Sequence, residues 1–84
     1  MILRIAICDD AQADRQRLIS LIEKEYLSCE CQSYASGEAL LMDLEDGGSF
    51  DIFFLDIFMS GISGMETARR IREGNPSAPI IFVS

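Results

Sequence analysis

The chain has 84 residues, of which 49% are hydrophobic and 25% are charged, which is typical of one small globular domain and excludes a disordered chain. Fourteen acidic residues against seven basic ones give a net charge of -7, which disfavours direct binding to nucleic-acid phosphates. The sequence has no basic tract and no apolar span of about twenty residues, so it predicts neither a targeting signal nor contact with a membrane.

Apolar runs alternate with helical periodicities along the whole chain. The runs predict four strands and the periodicities predict three helices, with Ser36 and Ser63 expected to cap the second and third helices. In chain order, the predicted elements are strand 3–8, helix 11–26, strand 28–34, helix 38–45, strand 52–58, helix 64–73 and strand 79–84.

Each predicted helix has one apolar side that should face the core. These sides comprise Leu18, Ile19, Ile22 and Tyr26 in the first helix, Leu40, Leu41 and Leu44 in the second, and Met65, Ala68 and Ile71 in the third. Strands that alternate with helices give a parallel sheet with right-handed crossovers. Because the second strand is short and more polar, it should lie outside the first. The prediction is therefore an α/β, flavodoxin-like doubly wound sheet with strand order 2-1-3-4.

The strand at 52–58 is apolar except for Asp56, and turn-forming glycines bound it on both sides. Such a run is typical of a central parallel strand that is buried on both faces. A carboxylate is seldom buried without a partner, so Asp56 is expected where this strand emerges at the C-terminal edge of the sheet. The alternative is that Asp56 only caps the following turn.

Four polar residues lie at the C-terminal ends of three of the predicted strands: Asp9 and Asp10 at the first, Asp56 at the third and Ser84 at the fourth. The C-terminal ends of parallel strands meet at one edge, where three close carboxylates raise one another's pKa unless a cation neutralises them. All-oxygen ligands suit Mg²⁺, so the pattern predicts phosphoryl transfer to a carboxylate, with Ser84 as a hydrogen-bond donor. The alternatives are that Asp9 and Asp10 cap the first helix and that Ser84 is simply a polar strand end.

Three cysteines, Cys8, Cys29 and Cys31, form no disulfide framework and favour a reducing compartment. Cys29 and Cys31 would share one face of a strand, where they are expected to act as small hydrophobic residues. The chain has no histidine, which disfavours a zinc site and excludes Ser-His and Cys-His nucleophiles.

This pattern resembles the receiver domain of two-component response regulators. The similarity lies in Asp9-Asp10, Leu55-Asp56, Met59, Gly61, Gly64 and Ser84. The stretch 55–72, LDIFMSGISGMETARRIR, is most similar to receivers joined to LytTR-type DNA-binding domains. The resemblance covers residues 1–84 and implies the N-terminal part of a CheY-like receiver that lacks the last helix–strand–helix.

The resemblance implies that Asp56 accepts a phosphoryl group from the phosphohistidine of a sensor histidine kinase in a Mg²⁺-dependent reaction. It implies that Asp10, Asp56 and the backbone carbonyl of Phe58 bind Mg²⁺, that Asp9 acts through water, and that Ser84 is the switch hydroxyl. The domain would be a cytoplasmic phosphoacceptor rather than a turnover enzyme. It would regulate transcription, and would reach DNA only through an output domain outside this chain.

Two departures from the family pattern affect these expectations. Ser60 stands where the family usually has proline, which should loosen the loop after the third strand. The family's phosphoryl-contacting lysine falls beyond Ser84, and Lys24, the one lysine present, lies on the first helix and cannot replace it. Because the first helix alone would cover one face of the sheet, a homodimer through that exposed face or through the edge of the fourth strand is also expected.

Two alternative functions compete with a phosphoacceptor. A hydrolase with an aspartate nucleophile typically carries a second acid two residues later, and Phe58 occupies that position here. The other alternative is a truncated or degenerate receiver that serves only as a dimerisation module.

Overall fold

The computed structural model describes residues 2–26 and 28–83. In these ranges the elements are β1 (Leu3–Cys8), α1 (Gln12–Glu25), β2 (Cys29–Tyr34), α2 (Gly37–Glu45), β3 (Ile52–Asp56), α3 (Gly64–Gly74) and β4 (Ile80–Val83). Every predicted element is therefore present, although β3 ends at Asp56 and not at residue 58, and Ser84 lies outside the described residues. None of the helices in these ranges has the length and apolar character that a bilayer crossing requires.

The four strands form one parallel sheet in the predicted order β2-β1-β3-β4, so β2 and β4 are its edges within the described ranges. In the register of the two central strands, Ile5 pairs with Ile52 and Cys8 with Leu55. The residues that follow, Asp9 and Asp56, consequently leave the sheet side by side. The α/β flavodoxin-like prediction is confirmed.

One face of the sheet packs against α2 and α3. Phe53 and Leu55 of β3 are almost completely buried there. They belong to a single apolar cluster together with Ala6, Cys8, Tyr34, Leu40, Phe50, Ala68, Ile71 and Ala78. The ring of Phe50 contacts the rings of Tyr34 and Phe53 edge-on, with centroids 6.2 and 5.8 Å apart, a favourable geometry for aromatic pairs.

Among the described residues, α1 is the one helix that packs on the other face. Ile5, Ile7 and Ile22 are buried between β1 and this helix, while Ile52 and Phe54 of β3 are only half-buried. Ile81, which pairs with Phe54 and so faces the same side, is 42% exposed. The prediction that β3 is buried on both faces is therefore wrong, because α1 lies over β1 and leaves β3 and β4 partly uncovered.

The predicted caps of the last two helices are confirmed: the Ser36 side chain accepts from the amide of Ala39, and the Ser63 side chain accepts from the amide of Glu66, both at 3.1 Å. The buried side of α3 differs from the prediction, since Met65 is 60% exposed. This side instead comprises Gly64, Thr67, Ala68 and Ile71. Those residues follow the i, i+3, i+4, i+7 spacing of a helix face, and Met65 lies outside it.

The prediction for α1 also needs one correction at its C-terminal end. Ile22 is buried and Leu18 and Ile19 are half-buried, as expected. Tyr26, however, is the residue after the helix and is exposed, because the backbone turns extended there. The apolar side of α1 is therefore about one turn shorter than the sequence pattern indicates.

Candidate functional site

The structure brings the three predicted acids together at the C-terminal edge of the sheet. Asp9, Asp10 and Asp56 each offer one carboxylate oxygen, and these oxygens all lie within 4.8 Å of one another. The cause is the register of β1 and β3, which places the residues after Cys8 next to the last residue of β3. Among the acidic and cysteine side chains of the described ranges, these three carboxylates are the ones that lie close enough together to hold one metal ion.

Asp9 is the buried member of the group, with 7% of its surface exposed. Its Oδ1 accepts from the amide of Ala11 at 2.9 Å, and its backbone carbonyl accepts from Nη1 of Arg15 at 2.7 Å. The predicted alternative of a cap is thus partly right, because Asp9 stabilises the turn that leads into α1, although the N-cap residue itself is Ala11. The sequence pattern places Arg15 on the solvent side of α1 and does not indicate this contact.

Asp56 is half-buried at the last position of β3. Its Oδ1 accepts from the amide of Phe58 at 3.3 Å, so it also caps the following turn, as the alternative predicts. Helix α3 begins very close to it, and a Cβ at Gly64 would overlap the backbone carbonyl oxygen of Asp56. The glycine therefore allows the start of α3 to pack directly on the backbone of the strand end.

The loop from residue 57 to 63 is fastened on two sides. On one side, the amide and the hydroxyl of Ser60 both donate to Oδ2 of Asp10, at 3.0 and 3.3 Å. On the other, the amide of Ile62 donates to Oε2 of Glu38 at 3.2 Å, next to Gly61 with its positive φ of 80°. A looser loop is predicted for a serine at position 60, whereas the structure shows that Ser60 ties this loop to Asp10.

Three further residues named in the sequence predictions, Phe58, Lys24 and Ser84, remain to be placed relative to the acids. Phe58 follows Asp56 by two residues, and its side chain is 79% exposed at the rim of the site. Lys24 lies in the last turn of α1, which runs from the acids toward the opposite edge of the sheet, so it does not reach them. Ser84 lies outside the described residues.

Burial raises the pKa of Asp9 above its ordinary value, and the nearby charge of Asp56 raises it further. Asp14 and Asp10 act in the same direction, whereas the amide of Ala11 stabilises the charged form and lowers the pKa. The direction is the one expected when carboxylates are crowded without a cation. The electrostatics of the site therefore favour a positive ligand.

The cysteines behave as the sequence predicts, because all three are free thiols. Burial raises the pKa of Cys8 to about 12, assisted by the charges of Asp9 and Asp56. Burial also raises the pKa of Cys31 to about 11. A thiol with so high a pKa is neutral at ordinary pH and is a poor nucleophile, so Cys8 and Cys31 contribute packing rather than chemistry.

A shallow groove of about 200 Å³ opens beside the acids. Its lining is formed by Asp9, Asp14, Arg17, Leu18, Leu21, Asp56 and Val83. The sequence does not indicate that Leu21 and Arg17 of α1 line this groove. Periodicity shows which side of a helix is apolar, but it does not show which residues of other elements lie next to that helix. A larger cavity of about 490 Å³ lies between α2 and α3 at the other edge of the sheet, and none of the predicted site residues lines it.

Comparison with known proteins gives consistent matches. The response regulator receiver domain family matches residues 5–84. Sensory transduction protein LytT of Oceanobacillus iheyensis is 34% identical over 99% of this chain, which covers 33% of that protein. Nisin biosynthesis regulatory protein NisR of Lactococcus lactis subsp. lactis is 37% identical over 100% of the chain, which covers 35% of it. The chain thus spans about a third of the length of these relatives.

Solved structures agree with the sequence matches. Response regulator protein TrrA from Thermotoga maritima, in complex with Mg²⁺-BeF, superposes with a TM-score of 0.86 at 34% identity over 96% of this chain and 68% of TrrA. TrrA in complex with histidine kinase ThkA gives 0.83 at 34% identity, over 96% of this chain and 67% of the other. Chemotaxis protein CheY4 of Vibrio cholerae, at 20% identity and a TM-score of 0.85, shows the shared fold.

Proposed function

The chain belongs to the response regulator receiver domain family, and from that premise we propose that Asp56 accepts a phosphoryl group from the phosphohistidine of a sensor histidine kinase. The observation that carries the proposal is the convergence of three carboxylates within 4.8 Å at the end of β3. Residues 1–84 are, on this proposal, the N-terminal part of the receiver domain. The relatives of the chain include a sensory transduction protein and a nisin biosynthesis regulatory protein.

The carboxylates of the three acids differ in the number and length of the hydrogen bonds that they accept. Asp9 is buried and holds the turn before α1, and Asp10 accepts two hydrogen bonds from Ser60. The described residues give the Asp56 carboxylate one hydrogen bond, from the amide of Phe58, and this bond is long at 3.3 Å. Among the described contacts, Asp56 is therefore the least strongly hydrogen-bonded of the three carboxylates, which supports its assignment as the acceptor.

The residues of this edge fit a hard divalent cation, because carboxylate oxygens are the ligands that Mg²⁺ prefers. Asp10, Asp56 and the backbone carbonyl of Phe58 would hold the ion, and Asp9 would act through water. When bound, Mg²⁺ would neutralise part of the acidic charge and stabilise the charge on the transferred phosphoryl oxygens. The complex of TrrA with Mg²⁺-BeF supports this assignment by analogy.

The proposed transfer is a simple exchange of bonds. A carboxylate oxygen of Asp56 forms a bond to phosphorus while the phosphorus–nitrogen bond of the donor histidine breaks, and the imidazole keeps the electron pair. The amide of Phe58 holds the acceptor carboxylate in place during this step, and Asp9 holds the turn beside it through the amide of Ala11. Because each chain takes up a single phosphoryl group on its own side chain, we assign it as a phosphoacceptor and not as a turnover enzyme.

The proposed partner is a sensor histidine kinase, in line with the complex of ThkA and TrrA. We further propose that phosphorylation switches an output domain of the LytTR type that regulates transcription and makes the contacts with DNA. Ser84 would be the hydroxyl that follows the phosphoryl group. The proposed location is the cytoplasm, whose reducing conditions keep Cys8, Cys29 and Cys31 as free thiols.

A second, weaker candidate function is a dimerisation module without phosphorylation. The observation in its favour is the partly uncovered side of β3 and β4, where Phe54 is half-buried and Ile81 is exposed. We propose that two copies associate through this face or through the edge of β4. Such pairing is compatible with phosphorylation, so the two candidates differ in whether Asp56 is modified.

The test is to incubate the protein with acetyl phosphate or a cognate kinase and Mg²⁺, and to measure its intact mass. We expect a hydroxylamine-labile adduct of about 80 Da, the mass of one phosphoryl group, on the wild type. Asp56→Asn should abolish it, and the matched control Asp46→Asn, at the far end of α2, should retain it. An equal yield on Asp56→Asn would refute the proposal. So would the absence of an adduct on the full-length protein with either donor, because the family's phosphoryl-contacting lysine is expected beyond Ser84.

A further inference from the structure

Asp10 is exposed, yet one of its oxygens is fully engaged by a residue that lies 50 positions later in the sequence. Oδ2 accepts from the amide of Ser60 at 3.0 Å and from its hydroxyl at 3.3 Å. Each oxygen of an ionised carboxylate can accept about two hydrogen bonds. The two bonds therefore occupy Oδ2 and leave Oδ1 as the oxygen available to a ligand.

Two donors on one oxygen also restrict how the carboxylate can turn. An exposed aspartate without such partners would rotate away from Asp9 and Asp56, because like charges repel at these distances. The bonds from Ser60 oppose that rotation and offset part of the repulsion. A hydrogen bond of this kind to a metal-ligating carboxylate is known to orient the ligand and to strengthen ion binding.

The same contact fixes the loop that carries Phe58. Residues 57–63 are held by Asp10 through Ser60 and by Glu38 through Ile62. Removing the Ser60 bonds would leave the Glu38 bond and the start of α3 in place. The loop should consequently keep its fold when residue 60 is changed. The distance between the loop and Asp10, however, would no longer be fixed by hydrogen bonds.

We propose that Ser60 is a positioning residue that raises the affinity of the acidic edge for Mg²⁺. It does so by aiming the free oxygen of Asp10 at the space shared with Asp9 and Asp56, and by tying the loop of Phe58 to the end of β1. The inference rests on the proposed function, since it specifies how the cation site of that function is assembled. Ser60 itself does not touch the transferred group.

The experiment measures Mg²⁺ affinity by isothermal titration at fixed pH and ionic strength. Ser60→Ala keeps the amide and loses the hydroxyl, so it should bind about threefold more weakly, and Ser60→Pro, which loses both donors, about tenfold or more. Ser60→Thr keeps both donors and should stay within about twofold of the wild type. Ser77→Ala, in the loop before β4, is the control and should have no effect.

Hydrogen exchange of the residue 60 amide in metal-free protein provides a second readout. Exchange should be slower in the wild type than in Asp10→Ala, and the control Asp46→Ala should match the wild type. Urea unfolding of each variant checks that it is folded. If Ser60→Pro fails that check, the comparison of Ser60→Ala with Ser60→Thr decides the result.

Wild-type affinity in Ser60→Ala and Ser60→Pro would overturn the inference, as would a Ser60→Thr variant as weak as Ser60→Ala. An amide at 60 that exchanges equally fast with and without the Asp10 side chain would also overturn it. These outcomes leave the proposed function intact if Asp56 is still phosphorylated. Absence of Mg²⁺ binding by the wild type would instead refute both.

Discussion

The two faces of the sheet are built from the same strands but are covered very differently. On the side of α2 and α3, Phe53 and Leu55 are almost completely enclosed. On the side of α1, their neighbour Phe54 is half-buried and Ile81 is 42% exposed. The alternation of side chains along β3 means that adjacent residues experience these two environments in turn.

The two faces should therefore affect different properties: the face under α2 and α3 should determine the stability of the fold, and the face under α1 should affect association between copies. The enclosed face supplies most of the close packing, and it also positions Gly64 and the loop of Ser60 beside the acids. The α1 face supplies a buried centre at Ile5 and Ile7 with an uncovered border. We therefore expect substitutions on the first face to lower the free energy of unfolding, and those on the border of the second to change how copies associate.

The largest effect is expected from Phe53→Ala. Removing this enclosed ring should lower the free energy of unfolding by about 3–5 kcal/mol, because a cavity remains between β3 and the two helices. Phe54→Ala is the matched control on the other face, and should lose about half as much since part of that ring already contacts water. Urea unfolding followed by circular dichroism measures both, and equal losses would contradict the contrast between the faces.

A smaller loss is expected from Gly64→Ala at the start of α3. The new methyl group would overlap the carbonyl oxygen of Asp56, so the helix must shift away from the enclosed face, at about 1–3 kcal/mol. Gly74→Ala is the matched change at the end of the same helix, where a Cβ meets no atom within 4 Å. It should be neutral or stabilising by up to about 1 kcal/mol in the same unfolding assay, and a loss there as large as at Gly64 would contradict this explanation.

Ile81→Lys should change the free energy of unfolding by only about 0.5 kcal/mol, because Ile81 is already 42% exposed and a lysine there can extend its charged end into water. It should, however, weaken self-association through the α1 face. Sedimentation at tens of micromolar, on the order of concentrations where weak dimers form, should show the wild type associating and the variant monomeric. A monomeric wild type would refute dimerisation through either surface, whereas an unchanged dimer in the variant would point to another contact.

The smallest effect concerns the solvent side of α3, where Glu66 pairs with Arg69 at 2.7 Å and Arg70 at 2.9 Å. Hydrogen bonds from Arg69, and then from Arg70, lower the pKa of Glu66 from 4.5 to about 2. The folded state thus holds this proton less tightly than the unfolded state. The stabilisation is present above pH 4.5 and is lost as pH falls toward about 2.

Glu66→Gln should remove this pH-dependent part. The difference in unfolding free energy between the wild type and the variant should be small at pH 6 and should shrink further at pH 3. Because the pair is exposed, high salt should reduce the difference as well. A difference that grows on acidification would show that the sign is wrong.

Much of the fold could be predicted because local patterns and global packing agree. The caps at Ser36 and Ser63 mark helix starts, and the polar second strand indicates its place at an edge. The exposure of Met65 could not be predicted. The close approach of Gly64 to Asp56 sets the rotation of α3 about its axis, and that approach is a tertiary contact with no local signal.

The candidate site also has one part that the sequence predicts and another that it does not. The meeting of Asp9, Asp10 and Asp56 follows from parallel strands in a known order, so sequence alone indicates it. The bonds from Ser60 to Asp10 and from Ile62 to Glu38 join residues 50 and 24 positions apart through irregular loops. Loop contacts of that range depend on the exact backbone path, which no periodic pattern specifies.

Among the described residues, the two edge strands differ in how readily each could pair with another strand. Strand β2 is CECQSY, with Glu30 and Gln32 exposed, and an edge carrying such groups resists pairing with another strand. Strand β4 is IIFV and carries no such protection. Two copies joined antiparallel along β4 about a two-fold axis would form one continuous sheet with a polar β2 at each end. In the proposed association along β4, growth would stop there, so this route would give a closed pair and not a filament.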